Sequence, residues 1–193
     1  MRKSHVTIAA LGSILLALPL TLGSAGAASA ETTLHDATYS CWVSGDTGKS
    51  VCVDKGDDLL LAVAKETGTK LIVPESTVIG GLSVNSSERR IAAEGIRTPF
   101  AEVVISILYD NTNYGDGSFV MSYNNANCTT TSYGYAQLGP YGWDNRAASF
   151  RSYAGCITAV FENINYGGAQ VGYATNDSNL GVMNDQGSSW RVQ

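Results

Sequence analysis

Two seven-residue segments carry the side chains of this sequence that are best placed to do chemistry. The first is DNRAASF at residues 144–150, and the second is NDQGSSW at residues 184–190. Each begins with two carboxylate or amide side chains and ends with small residues and an aromatic ring. Carboxylate, amide and hydroxyl oxygens, without histidine or thiolate, are the ligands that calcium prefers. The same residue types also cap turns by hydrogen bonding to the backbone, and one isolated segment would favour that interpretation.

Both segments belong to an internal repeat. LYDNTNYGDGSF at residues 108–119 aligns with VFENINYGGAQV at residues 160–171 at an offset of 52, whereas the seven-residue segments lie 40 apart. Glycines allow positive φ in these hairpins, and Tyr109 and Phe161 are expected to cover the bent loops. Asp116 replaces a glycine of the second copy and predicts a one-residue shift of the first hairpin. Two copies, each paired with an acidic hairpin, favour metal binding over simple turns.

The elements that position these residues are predicted to be strands. Residues 103–193 are rich in Gly, Asn, Ser and Tyr, with the apolar runs VVISILY and CITAVF between turn signals, which is typical of an all-β domain. Residues 31–100 differ, because GDDLLLAVAKETG predicts a helix over about residues 58–67, with Asp57 as N-cap and Gly68 as stop.

The rest of the N-terminal region has weaker signals. KLIVPE predicts an edge strand broken by Pro74, and SVNSSERRIAAEG predicts a polar loop leading into one helical turn. The region is therefore expected to be small and mixed α/β. Its role stays open between a subdomain, a pro-segment, a second binding module and a wall-targeting piece.

The N-terminus is typical of a secretory signal peptide. Arg2 and Lys3 precede a mostly apolar run, and AASA supplies small residues for cleavage before Glu31. Removal of residues 1–30 leaves 10 basic and 17 acidic residues, a formal charge near −7 that repels nucleic acid. No later stretch is apolar enough to span a bilayer. We expect a secreted, extracellular protein that binds no nucleic acid and does not insert into membranes.

Four cysteines are expected to form two disulfides in an exported chain. Proximity favours Cys41 with Cys52 and Cys128 with Cys156, although spacing alone leaves the other two connectivities open. After removal of residues 1–30, His35 is the one histidine. A Ser/His/Asp or Cys/His triad would depend on it, and the scattered acidic residues offer no obvious glycosidase pair. We therefore expect no enzyme.

The repeat resembles the Greek key motif of the βγ-crystallin superfamily. FENINYGG followed by NDQGSSW matches that motif very closely, and YDNTNYGD followed by DNRAASF matches it with two departures. The resemblance covers residues 103–193 and implies two Greek key motifs forming a βγ-crystallin-like sandwich. With its signal peptide and cysteines, the chain is also similar to the secreted Streptomyces metalloproteinase inhibitor family.

The superfamily resemblance implies two calcium sites between the paired motifs. Each site combines a hairpin backbone carbonyl, an Asx side chain of its own segment and a hydroxyl from the partner segment. The expected ligands are Asp110, Asn145 and Ser188 in one site, and Glu162 and Asp185 in the other. The second site should also use a hydroxyl at position 148, where this chain has Ala148. One usable and one impaired site follow, with dissociation constants on the order of 10⁻⁴ to 10⁻³ M. Ser149 and Ser189 are expected to lock the neighbouring hairpins, and Phe150 and Trp190 to anchor the core.

The function that this resemblance favours is inhibition of a secreted protease, in particular a metalloprotease, by a monomer with a rigid exposed loop. The stretch around residues 128–141 is the length difference between the repeats and is the expected inhibitory loop. Its expected contact residues are Thr129, Thr130, Tyr133 and Tyr135. The alternative is a calcium-stabilised structural or envelope-associated module with no protease target. A crystallin-like toxin is a third possibility that no residue supports specifically.

Overall fold

The computed structural model of the protein describes residues 39–193, so the predicted signal peptide and His35 lie outside the described residues. The strands and helices follow one another as β1 (Tyr39–Ser44), β2 (Ser50–Asp54), α1 (Leu59–Thr67), β3 (Thr69–Ile72), β4 (Val78–Ile79), β5 (Leu82–Ser83), α2 (Val84–Ala93), β6 (Phe100–Asn111), β7 (Gly115–Tyr123), β8 (Tyr133–Tyr135), β9 (Ser149–Ser152), β10 (Thr158–Asn163), β11 (Gly167–Ala174), β12 (Asn176–Asp177) and β13 (Ser189–Val192). Short 3₁₀ turns occur at Thr112–Tyr114, Gly139–Tyr141, Ile164–Tyr166 and Gly181–Met183.

Two sheets build the all-β part. The first has the order β12-β9-β6-β7-β1-β2, with β3 beside the first residues of β6. The second has the order β11-β10-β13-β8. Strand β8 of the first repeat belongs to the second sheet, and β12 of the second repeat belongs to the first sheet. Each repeat thus lends its third strand to the other sheet, which confirms the predicted pair of Greek key motifs.

The central strands of the first sheet are buried on both faces. Side chains alternate between the faces of a strand, so Phe119 and Met121 of β7 join the core between the sheets while Val120 points the other way. The core between the sheets also holds the predicted anchors Phe150 and Trp190, each 0% exposed. Their burial confirms the expectation from the repeat.

A second hydrophobic cluster covers the outer face of the first sheet. It joins Val104, Ile107 and Val120 of the sheet to Trp42 and to the buried side of helix α1. The N-terminal region is therefore a layer packed on the Greek key sheet. Within the described residues, neither helix is long and apolar enough to cross a membrane.

The two helices differ from their sequence predictions in detail. The side chain of Asp58, one residue later than predicted, caps α1 by accepting a hydrogen bond from the N–H of Leu61 at 3.1 Å. Gly68 ends the helix with φ of 68°, as predicted. The prediction of one helical turn for SVNSSERRIAAEG is wrong, because α2 has 10 residues. Ser83 caps it, and its hydrophobic contact is confined to a few side chains, which weakens the helical pattern.

Strand β1 joins the N-terminal region to the Greek key sheet by pairing in parallel with β7. The carboxylate of Glu102 on β6, 6% exposed, accepts hydrogen bonds from Ser44 Oγ at 2.8 Å and Ser122 Oγ at 2.7 Å. The indole N–H of Trp42 donates to Ser122 Oγ at 2.6 Å. This buried network connects three adjacent strands. The N-terminal region from residue 39 onwards and residues 103–193, which differ in composition, therefore contribute to the same sheet.

Candidate functional site

The two hairpins of the repeat have the same backbone. Asn113 and Asn165 both have φ of 57° and ψ of 31°, and the tyrosine after each also has positive φ. The expectation that glycine supplies positive φ in the hairpins holds at Gly168, with φ of 76°, whereas the glycine directly after each tyrosine is extended. Asparagine tolerates the left-handed region better than most residues, which suits it to this position.

Asp116 does not shift the first hairpin, contrary to the prediction. Its φ of 58° matches the φ of 76° at Gly168, the equivalent position of the second copy. The carboxylate of Asp116 accepts a hydrogen bond from Asn111 Nδ2 at 2.7 Å and pairs with Lys55 Nζ at 2.8 Å. These two contacts hold the aspartate in a conformation that glycine adopts more easily.

Ser149 and Ser189 lock the hairpins in equivalent ways. Ser149 Oγ accepts a hydrogen bond from the N–H of Tyr114 at 3.1 Å and donates to the carbonyl oxygen of Asn111 at 2.6 Å. Ser189 Oγ accepts from the N–H of Tyr166 at 3.0 Å and donates to the carbonyl oxygen of Asn163 at 2.6 Å. The predicted locks are confirmed, and each consists of two hydrogen bonds between the serine hydroxyl and the hairpin backbone.

The two seven-residue segments meet each other across the repeat. The N–H of Asn145 donates to the carbonyl oxygen of Gly187 at 2.9 Å, and the N–H of Asp185 donates to that of Ala147 at 3.1 Å. Asn145 and Asp185 have φ of 55° and 54°, so these paired positions also share a left-handed conformation. The predicted metal ligands from both segments therefore lie on adjoining loops.

Asp110, the first expected calcium ligand, is paired with an arginine. Both carboxylate oxygens are engaged, with Oδ1 2.9 Å from Arg146 Nε and Oδ2 2.6 Å from Arg146 Nη2. Each of the two side chains is 14% exposed. Burial raises the pKa of Asp110 and outweighs the lowering by Arg146, while the charges of Asp116 and Asp185 raise it further.

The guanidinium of Arg146 is mostly buried between two aromatic rings. It lies 4.3 Å from the ring centre of Tyr39 and 4.2 Å from that of Trp143. It also donates to the carbonyl oxygens of Gly142 at 3.1 Å and Tyr39 at 3.3 Å. An internal cation thus takes up the carboxylate of Asp110 and the carbonyl oxygens of Gly142 and Tyr39, whereas the ligand that the superfamily resemblance implies at Asp110 is the backbone carbonyl.

The expected ligands of the second site are arranged differently. Glu162 is exposed, and its Oε2 accepts a hydrogen bond from the N–H of Ala169 at 3.0 Å. Asp185 is also exposed, and partial burial of its carboxyl group raises its pKa. Among residues 39–193, neither carboxylate forms an ion pair. Asn184 Oδ1 is buried and has no hydrogen-bond partner among residues 39–193. The second segment therefore has side-chain oxygens that no cationic side chain of the described residues contacts.

The loop between β7 and β8, residues 124–132, overlaps the start of the expected inhibitory stretch, residues 128–141. Thr129 and Thr130 lie in this loop and are exposed. Tyr133 and Tyr135 lie instead in β8, which pairs with β13. Their rings pack inward against other aromatic side chains, so the expectation that they are loop contact residues is corrected.

The disulfides follow the pairing that proximity favoured. Cys41 pairs with Cys52 across β1 and β2, and Cys128 in the exposed loop pairs with Cys156 just before β10. Both indicate an oxidising compartment. The second disulfide fixes the middle of the loop to the start of the second repeat.

The sequence prediction missed Arg146 and Tyr39. Arg146 occupies a spacer position of the first segment, where the second segment has the neutral Gln186. That difference in charge was the available signal. Tyr39 lies in the region without a recognised motif, and no sequence signal connects it to a residue more than a hundred positions away.

The comparisons with known proteins concern the fold. No family model and no curated protein matches the chain. A βγ-crystallin domain from Flavobacterium johnsoniae is 25% identical over 46% of this chain and 93% of its own, with a TM-score of 0.36. The N-terminal domain of Protein S is 22% identical over 46% of this chain and 94% of its own, with a TM-score of 0.37.

A βγ-crystallin domain from Clostridium beijerinckii is 23% identical over 46% of this chain and 95% of its own, with a TM-score of 0.35. The exchange of β8 and β12 between the sheets, rather than these similarities, carries the description of the fold as paired Greek key motifs. The likeness to the Streptomyces metalloproteinase inhibitor family stays a prediction from sequence.

Proposed function

We propose that the chain is a secreted peptidase inhibitor that presents residues 124–132 to its target. The observation that carries this proposal is an exposed polar loop held at both ends and in the middle by the fold. Thr129, Thr130, Thr131 and Ser132 form its most exposed run. Metalloproteases are the target class that the sequence resemblance favours.

Asn127 makes most of the hydrogen bonds within the loop. Its carbonyl oxygen accepts the N–H of Thr131 at 3.1 Å, and its Oδ1 accepts the N–H and the hydroxyl of Thr129 at 3.1 and 2.6 Å. The N–H of Asn127 donates to the hydroxyl of Tyr133 at 2.7 Å. These contacts form a compact Asx turn within the loop.

The ends of the loop are also fixed. The rings of Tyr123 and Tyr133, which flank it, lie 4.3 Å apart between centroids. The N–H of Asn124 donates to Asp46 Oδ2 at 2.6 Å, and Cys128 is tied to Cys156. A loop ordered before binding loses little conformational entropy in a protease cleft, which is how rigid inhibitors gain affinity.

An inhibition assay tests the proposal. Residues 31–193 would be titrated against secreted metalloproteases and serine proteases at fixed calcium, and we expect stoichiometric, active-site-competitive inhibition of one class. Thr130→Arg should weaken that inhibition at least tenfold, because a bulky charge changes the presented surface. Val182→Arg is the matched control, because Val182 is 97% exposed in a different loop. Equal inhibition by both variants, or none across the panel by the folded protein, would contradict the proposal.

A second candidate is a calcium-stabilised structural or envelope-associated module. It is favoured by the second copy of the repeat, where Glu162 and Asp185 are exposed and Asn184 Oδ1 is without a partner among the described residues. Melting curves of the wild type and Asp185→Ala, each with calcium and with chelator, test it. Calcium should raise the melting temperature of the wild type more than that of Asp185→Ala, and equal curves in all four conditions would remove this candidate.

A further inference from the structure

The sheet edges within residues 39–193 differ in how they are protected against pairing with another chain. An exposed edge presents unpaired backbone N–H and C=O groups, and proteins usually protect it with a short strand, a charge or a proline. Strands β4, β5, β8 and β12 have two or three residues each. Strand β3 contains Lys70 and is soon followed by Pro74, and β2 ends at Asp54. Strand β11 has none of these protections, because it has eight residues and neither a charge nor a proline lies between Glu162 and Asp177.

The outer side of β11 is open. It is the last strand of the second sheet, and no strand of the described residues pairs with it on the side away from β10. Gly168, Ala169, Gln170 and Gly172 are all exposed. The edge is therefore accessible along most of the strand.

The alternation of backbone groups shows which residue of β11 faces outward. The carbonyl oxygen of Phe161 accepts the N–H of Ser188 at 2.8 Å, so the backbone groups of Phe161 point toward β13. Adjacent residues of a strand point in opposite directions, so Val160 points toward its partner Val171 on β11. The backbone N–H and C=O of Gln170, next to Val171, therefore point away from β10 and toward the open edge.

The first copy of the repeat shows what such an edge accepts. Strand β7 is the equivalent of β11 at the offset of 52, and β1 pairs with it in parallel over Phe119 to Ser122. The corresponding positions of β11 are residues 171–174. The N-terminal layer is used at the first copy, so the equivalent strand beside β11 is one that the described residues do not supply.

We infer that the open edge of β11 pairs in antiparallel fashion with β11 of a second copy of the chain, about a two-fold axis at Gln170. Symmetric pairing about that residue places Gln170 opposite Gln170, Ala169 opposite Val171 and Gly168 opposite Gly172. The two glutamine amides can donate to and accept from each other, and the glycines leave no side chain between the approaching backbones. The contact joins two four-stranded sheets into one continuous sheet.

The distribution of charge favours a second copy at this strand. Without residues 1–30 the chain has 10 basic and 17 acidic residues, so two copies repel each other over much of their surface. Strand β11 is uncharged, and pairing there brings no like charges directly opposite each other. One pair of strands buries little area, which is typical of weak, concentration-dependent association. The dimer differs from the monomer expected from sequence.

Sedimentation equilibrium of residues 31–193 tests the dimer. The wild type should pass from monomer to dimer between about 10 μM and 1 mM, the range of weak interfaces. Gln170→Lys and Gln170→Glu should each dimerise at least about tenfold more weakly, because like charges then face each other across the axis. An equimolar mixture of these two variants should recover the dimer, because opposite charges then meet.

Asn125→Lys is the matched control. It makes the same amide-to-lysine change at an exposed position of the loop between β7 and β8, and it should dimerise like the wild type. The inference is overturned by a wild type that stays monomeric over the whole range, by a dimer that Gln170→Lys leaves unchanged, or by a mixture that stays monomeric.

Amide hydrogen exchange of the wild type locates the contact without any variant. The amide of Gln170 should become protected as the protein concentration rises, because its N–H gains an acceptor across the axis. The amide of Val171, which faces β10, should be protected at every concentration. Dimer formation that leaves the exchange rate of Gln170 unchanged would place the contact elsewhere and overturn the inference.

Discussion

Replacement of Ser189 by alanine should lower the free energy of unfolding by roughly 2–3 kcal/mol. The hydroxyl is 0% exposed and makes two hydrogen bonds, to the N–H of Tyr166 and the carbonyl oxygen of Asn163. Each lost bond costs about 1 kcal/mol, and a buried partner left without a replacement adds to that cost. For a chain of this size, 1 kcal/mol corresponds to about 2–4 °C, so the melting temperature should fall by roughly 4–12 °C.

Urea unfolding followed by tryptophan fluorescence, with chelator present, measures this change. Ser188→Ala is the matched control, because the neighbouring hydroxyl forms no hydrogen bond within the described residues while its backbone N–H still donates to Phe161. The control should lose less than about 0.5 kcal/mol. Ser149→Ala, the equivalent change in the first copy, should resemble Ser189→Ala. Equal losses for Ser188→Ala and Ser189→Ala would refute the idea that the hydroxyl locks the hairpin.

Three further predictions concern the layers of the fold. Trp42→Ala should lower the free energy of unfolding by roughly 3–5 kcal/mol in chemical denaturation, since it empties the cluster under the N-terminal layer; an unchanged transition would show that the layer is dispensable. Replacing Cys128 and Cys156 by serine together should cost roughly 3–4 kcal/mol for a 28-residue separation, and a calorimetric scan without loss would contradict this. Burial raises the pKa of Tyr123 from 10.0 to about 12, so the folded protein keeps a proton that the unfolded chain loses. Stability should therefore fall as pH rises from about 10 towards 12, which ultraviolet tyrosinate absorbance and circular dichroism can follow together; a flat stability profile would refute it.

The Greek key half could be predicted from sequence because the same residues occur twice at corresponding positions. The pattern predicted two hairpins, and Ser149 and Ser189 lock them in the same way. The apolar run VVISILY also contained a signal, because continuous rather than alternating apolar residues indicate a strand covered on both faces. The sequence could not show which part of the chain packs on the outer face of the first sheet. The N-terminal layer packs there, and its residues are tens of positions away in sequence from Val104 and Ile107, which they contact.

The candidate site was less predictable because charge pairing depends on distance in space. Asp110 and Arg146 are 36 positions apart, and the repeat marks the first as a ligand and the second as a spacer. A motif transferred from relatives specifies which oxygens are available. It does not specify which other side chains of the fold pair with the same residues.

The disulfide between Cys128 and Cys156 should help the protein to stay assembled after proteolytic cleavage. Ala154 and Gly155 form an exposed turn between the two repeats, both with positive φ, and are an accessible place for cleavage. A cut there would leave Cys156 on the C-terminal fragment and Cys128 on the N-terminal fragment, still covalently joined. Because β8 and β12 are also each inserted in the opposite sheet, the nicked molecule should stay assembled as two interlocked chains. A single backbone cleavage at this turn would then damage the chain without dismantling the protein.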